Sequence, residues 1–191
     1  VKAFTKELKE LITLLPKGKF ALNRKFFRHW DEGVEMEWEG GVPTMGPLFT
    51  AELDKLLGPA RQKGQPLTTH HENIARSLQA VYEECAFHVL DDLYARTKNP
   101  RICLAGGCAM NSVANGKVRA STKFTEVYIQ PAAADSGTAL GAAYHVWNQV
   151  LAKPRGFVME HGYWGTQYPS ADVTPIVDAR DDADWKYSWE T

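Results

Sequence analysis

Two stretches decide how this chain folds: Arg101-Ile-Cys-Leu-Ala-Gly-Gly-Cys-Ala-Met-Asn111, and Glu126-Val-Tyr-Ile-Gln-Pro-Ala-Ala-Ala-Asp-Ser-Gly137. In the first, a short apolar run breaks at Gly106-Gly107 into a helix-like segment, Cys108 to Arg119. In the second, a β-prone run breaks at Pro131 into small residues around Asp135, then into a Gly/Ala-rich helix ending near Val150. A strand of buried type thus empties twice through a tight turn into a helix, which reads as α/β. A strand that ends on glycines before a helix start presents free N–H donors and the positive end of the helix dipole, an arrangement that suits phosphate. Gly106 and Gly107 carry no Cβ, so another group can approach their backbone. Asp135 is the acid in an otherwise apolar turn, placed to hold a cation or a cation-bound phosphate.

Each feature also has a plainer structural reading. Gly-Gly can be a tight connection, Asp135 an ordinary N-cap, and Asn111 a solvated or capping side chain. Two such turns at the same end of two neighbouring strands point to the end of an open α/β sheet where ligands sit.

The wording of these turns resembles that of a known family. Leu104-Ala-Gly-Gly-Cys-Ala-Met-Asn111-Ser-Val-Ala-Asn115-Gly-Lys117 is similar to the LAGGxAxNxxxNGK block of the carbamoyltransferases, enzymes that carbamoylate hydroxyls of antibiotics and nodulation factors. Gln130-Pro-Ala-Ala-Ala-Asp135-Ser-Gly-Thr-Ala-Leu-Gly-Ala-Ala143 resembles the QPAAxDxGxALGAA block that follows it there, and Met159-Glu-His-Gly-Tyr-Trp-Gly165 the segment leading out of that domain. The resemblance runs from about Phe20 to Tyr168. It implies an actin/sugar-kinase-like (ribonuclease H-like) half-domain, a central sheet flanked by helices, corresponding to the second half of a two-part N-terminal domain. It also implies that Gly106, Gly107 and Asn111 contact a nucleotide and that Asp135 ligates a divalent metal, iron or magnesium. No residue is assigned as catalytic.

The implied reaction moves a carbamoyl group from carbamoyladenylate, made from carbamoyl phosphate and ATP, to a small-molecule acceptor hydroxyl. The family's His-x-x-x-His iron pair does not occur in this sequence. The chain alone is therefore expected neither to hold metal tightly nor to turn over, with the remaining domains of a longer enzyme as partners and a homodimer as a further possibility. Two other readings are a relative of the ATPase that forms threonylcarbamoyladenosine on tRNA, and a non-catalytic nucleotide-binding or scaffold module.

The rest of the chain is ordinary globular sequence: 191 residues, 44% hydrophobic and 24% charged. A formal net charge of -1 gives no nucleic-acid or membrane surface on average. Three cysteines without metal or disulfide spacing suggest a reducing, cytoplasmic setting. Cys85 and Cys103 read as buried small hydrophobes, and Cys108 as the candidate for a reactive thiol.

The pattern divides into an N-terminal helical or irregular extension (1–66), a nucleotide-binding half-domain core (67–152) and an exit linker (153–191). Apolar spacing from Phe4 to Leu15 predicts a helix stopped by Pro16-Lys-Gly18. The basic and aromatic run through Trp30 reads as packing with snorkelled cationic tips. Glu35 to Glu39 reads as a hairpin arm ending at Gly40-Gly41, Val42 to Phe49 as a loop, and Thr50 to Leu57 as a helix closed by Gly58. The longest helix is predicted from Thr68 or Thr69 to about Thr97, with Thr69 and Glu72 as its capping box. Its apolar stripe is Ile74, Leu78, Val81, Cys85, Val89 and Leu93. Adjacent His70 and His71 point apart on a helix and cannot share a metal as an i,i+4 pair can. His161 and Trp164 read as nucleotide contacts or, the favoured reading, as pins for the exit linker, and Asp178 to Thr191 as a frayed tail or the start of a further domain.

Overall fold

The computed structural model describes residues 1–179. The chain opens with one turn of helix, α1 (Thr5–Leu8), seated on the long helix further on: the Phe4 N–H donates to Ser77 Oγ at 3.0 Å, and Leu8 is buried. The helix predicted for Phe4 to Leu15 ends there. Ile12–Leu15 (β1) pairs antiparallel with Lys19–Leu22 (β2) instead. Lys17 and Gly18, at φ of 62° and 64°, turn the chain back on itself, so strand pairing satisfies backbone groups that a longer helix would have used. Residues 8, 11, 12 and 15 suit helical spacing, yet burial alternates along β1 as in a half-covered strand.

Phe26, 1% exposed, anchors the basic and aromatic run, with the Arg24 guanidinium 4.3 Å over the Trp30 ring. The packing expectation holds there. Met36–Glu39 (β3) forms the expected arm of a hairpin, whose second arm, Val42–Met45 (β4), occupies what the sequence suggested was loop. Helix α2 (Ala51–Leu57) begins where the Thr50 hydroxyl accepts from the Glu52 N–H and ends at Gly58 with φ of 88°.

Helix α3 (Thr69–Thr97) spans the predicted range. Its capping box lies one residue earlier than expected. The Thr68 N–H donates to His71 Nδ1 at 3.1 Å, so an imidazole takes the place assigned to Glu72. The apolar stripe is also interrupted: Val81 is buried, but Leu78 is 52% and Val89 37% exposed, because the sheet takes the Phe87, Leu90, Leu93 and Tyr94 side of the helix.

That sheet is smaller than the central sheet expected. It is one parallel pair, β5 (Arg101–Leu104) and β6 (Glu126–Ile129), in register from Arg101↔Glu126 to Leu104↔Ile129. The connection is not one helix over Cys108 to Arg119. It is a 3₁₀ turn (Gly107–Met110), a break at Asn111, then α4 (Ser112–Asn115) and α5 (Val118–Ser121). Ile102, Val118 and Phe124 form a core against α3, and Tyr94 meets Phe124 edge-on at 5.5 Å.

After β6 comes α6 (Ser136–His145), which runs on through a π-helical turn (Val146–Val150). In the exit segment His161 and Trp164 stack at 4.9 Å, Trp164 Nε1 donates to the His161 carbonyl, and Trp164 meets Phe157 edge-on. Last among the described elements is α7 (Ser170–Asp178). The tail reading for Asp178 to Thr191 falls, from 180 onward, outside the described residues.

Candidate nucleotide-binding turn

The two turns predicted to neighbour each other are joined directly. The Gly106 N–H donates to the Ala133 carbonyl at 2.7 Å, and the Gln130 N–H to the Leu104 carbonyl at 3.0 Å, which carries the strand pairing past the ends of β5 and β6. Gly106 adopts φ of 95° and ψ of 168°, a conformation essentially confined to glycine. Gly107 differs: its φ is ordinary, and a Cβ there would meet nothing within 4 Å. The backbone N–H groups of Gly107 and Cys108 have no acceptor among the described residues. The fold therefore requires glycine at 106 and leaves open space and two free donors beside 107.

Asn111 is held in place by neighbours. Its Nδ2 donates to Gln79 Oε1 at 2.9 Å, its Oδ1 accepts from Gln79 Nε2 at 3.1 Å, and the same Oδ1 caps α4 through the Ala114 N–H. Other tethers run from the same side of α3. The Tyr82 hydroxyl donates to the Cys108 carbonyl at 3.1 Å, and Lys117 Nζ meets Glu83 Oε1 at 2.6 Å. Sequence reading missed this polar row of Gln79, Tyr82 and Glu83. Its only signal was the spacing of 79, 82 and 83 on one side of a helix.

Burial on its own would raise the Glu83 carboxyl pKa. Hydrogen bonds from Lys117 and Gln79, with the nearby charges of Lys117 and Arg76, outweigh it and hold the group below its ordinary value of 4.5.

Asp135 lies at the head of α6, exposed, and its side chain makes no capping bond, so the plain N-cap reading does not describe it. Its carbonyl is used locally, accepting from the Thr138 N–H and hydroxyl. Gly137 is required for a reason the sequence did not show: a Cβ there would collide with the Ala132 carbonyl oxygen. Among the described residues, no three His, Cys, Asp or Glu side chains gather as a metal site. No helix among them is long and apolar enough to cross a membrane.

Cys85 meets the buried-thiol expectation in part: it is half-buried, and burial, then the charge of Glu84, pushes its pKa up. Cys103 does not. It is exposed, because the sheet has two strands and its face opposite α3 is only partly covered.

Residues 4–144 match the family model described as "Carbamoyltransferase N-terminus". The chain is 36% identical over 135 residues to nodulation protein NolO of Bradyrhizobium diazoefficiens, covering 67% of this chain and 24% of that protein. It is 33% identical over 160 residues to nodulation protein NolNO of Sinorhizobium fredii, covering 82% and 22%. With the uncharacterized protein sll1178 of a Synechocystis strain it shares 34% identity over 170 residues, covering 87% and 26%. The chain thus spans about a quarter of the length of the curated relatives it matches.

Proposed function

This chain belongs to the family of carbamoyltransferase N-terminal regions, and from that premise we propose that it supplies the nucleotide-phosphate turn of an O-carbamoyltransferase. The single observation that carries the reading is the Gly106–Ala133 hydrogen bond. It clamps the two turns together and leaves the Gly107 and Cys108 N–H groups free beside open space. Free backbone donors at a turn suit the phosphate of an adenylate, in the ground state and as AMP departs. In the reaction, the acceptor hydroxyl oxygen bonds to the carbamoyl carbon, the bond from that carbon to the phosphate oxygen breaks, and AMP leaves. Asn111, fixed by Gln79, positions the turn. The parallel β5–β6 pair with ligand-facing turns at its C-terminal end also supports the actin-like half-domain reading.

A bound divalent cation would supply charge neutralisation and Lewis acidity. The exposed Asp135 carboxylate would be one ligand to it, and one carboxylate fits magnesium riding on nucleotide phosphates better than tightly held iron. Iron would need ligands from outside the described residues.

The test is calorimetric titration of the chain with AMP, and with ATP plus magnesium. Gly107→Val should fold and lose binding of both, since its Cβ fills space that nothing in the chain occupies. Asp135→Ala should keep AMP binding and lose the magnesium-dependent part of ATP binding. Equal AMP affinity in wild type and Gly107→Val would refute the assignment. An absence of binding in both would favour a scaffold role.

A further inference from the structure

Residues 31–49 hold five carboxylates and no lysine or arginine, whereas residues 1–30 hold eight lysines and arginines against two carboxylates. The first part of the chain is thus divided into oppositely charged segments, a pattern that bears on association rather than on fold. The acidic segment contains the β3–β4 hairpin, in which Met36 pairs with Met45 and Trp38 with Pro43. Paired residues, and every second residue along a strand, share one side of a sheet, so these four form a single apolar face. All four are exposed, Trp38 to 68%. Glu35 and Glu37 alternate with them. Neither makes an ion pair among the described residues, and Arg28, whose charge reaches Glu35, is already committed to Glu32.

The complement to this hairpin lies elsewhere on the same chain. Between the β1–β2 hairpin, α3 and the Cys108 turn is an open, almost wholly apolar pocket of about 410 Å³, a size that takes a small molecule or an indole. Ile12, Phe20, Cys85, Val89, Cys108 and Val118 line it, with Phe20 and Val89 exposed. Lys19 directly precedes Phe20, and Lys17 occupies the turn before it. Neither lysine makes an ion pair among the described residues, and Asp92, the carboxylate beneath Gly18, already faces Arg96 at 3.7 Å.

We propose that the occupant of this pocket is the β3–β4 hairpin of a second copy of this chain. Trp38 enters the pocket, Met36 and Met45 cover its apolar margin, and Glu35 and Glu37 meet Lys17 and Lys19 of the other copy. Both halves of the contact are present on one chain, and each is chemically suited to the other: an apolar projection with acidic flanks, and an apolar pocket with a basic rim. A two-fold pair makes both contacts at once and leaves no open end. Apolar burial supplies the affinity, with tryptophan the side chain most often found as an interface anchor. The charges speed encounter and fix register. Nothing in this pairing depends on the nucleotide reading.

Sedimentation velocity of the 191-residue chain over a range of concentrations tests it. The chain should dimerise in the micromolar range, and rising salt should weaken the dimer. Trp38→Ser should weaken it at least about thirtyfold, as for an interface anchor. The circular dichroism of that variant should be unchanged, since Trp38 is exposed in the single chain. Two charge-reversed chains, Glu35→Lys with Glu37→Lys and Lys17→Glu with Lys19→Glu, should each self-associate about tenfold more weakly. An equimolar mixture of the two should dimerise about as well as the wild type, because every contact then joins opposite charges again. A chain that stays monomeric at millimolar concentration overturns the proposal. So does a dimer untouched by Trp38→Ser, a mixture that does not recover, or assembly beyond the dimer.

Discussion

A methyl group at position 137 would collide with the Ala132 carbonyl, whereas one at Gly141, on the same helix, would meet nothing within 4 Å. Gly137→Ala should therefore cost about 2 kcal/mol, because the backbone of the second turn must move. Gly141→Ala should gain up to about 1 kcal/mol by helix propensity. Urea unfolding of the two variants reads both signs. The sequence marked both glycines as small without ranking them, since the clash comes from the path of the turn that precedes the helix. The cysteines divide in a similar way. Exposed Cys103 and Cys108 should react with a thiol reagent in the native state, and half-buried Cys85, with its raised pKa, more slowly than either until the chain unfolds, as stopped and denatured titrations would show.

At the scale of elements, α3 was legible almost to the residue, because a long periodic stretch with a Thr cap and a terminal Asn-Pro competes with no other structure. The β1–β2 hairpin was not legible. Four residues of strand fit helical spacing equally well, and only pairing with Lys19–Leu22 decides between the two.

The polar row of α3 has a pH signature. The Glu83 carboxyl titrates lower in the folded chain than its ordinary 4.5, so its contribution to stability is complete above that value. The contribution is lost as pH falls through the lower folded-state value. Lys117→Met should cost about 0.5–1 kcal/mol at neutral pH, as for a partly exposed pair. It should also flatten the fall in melting temperature below pH 4.5 relative to wild type. An acid limb as steep as the wild type's would show that the tether from Glu83 to Lys117 carries no weight.

For the molecule as a whole, the chain covers about a quarter of its relatives' length. On the proposed reading it binds nucleotide without turning over. Incubation with carbamoyl phosphate, ATP, magnesium and a hydroxyl acceptor should yield no carbamoylated product, and product formation would overturn that division of labour.

The sequence alone determined the family, the two strand–turn–helix units and the long helix. Each is written in contiguous residues whose spacing, caps and turn chemistry act locally. Tertiary structure alone decided that Gly106 hydrogen-bonds to Ala133, that Gln79, Tyr82 and Glu83 hold the turn, and that the sheet keeps an open face beside Asn148. Those contacts join positions 26 to 34 residues apart or more, where burial and geometry choose partners that no local pattern encodes.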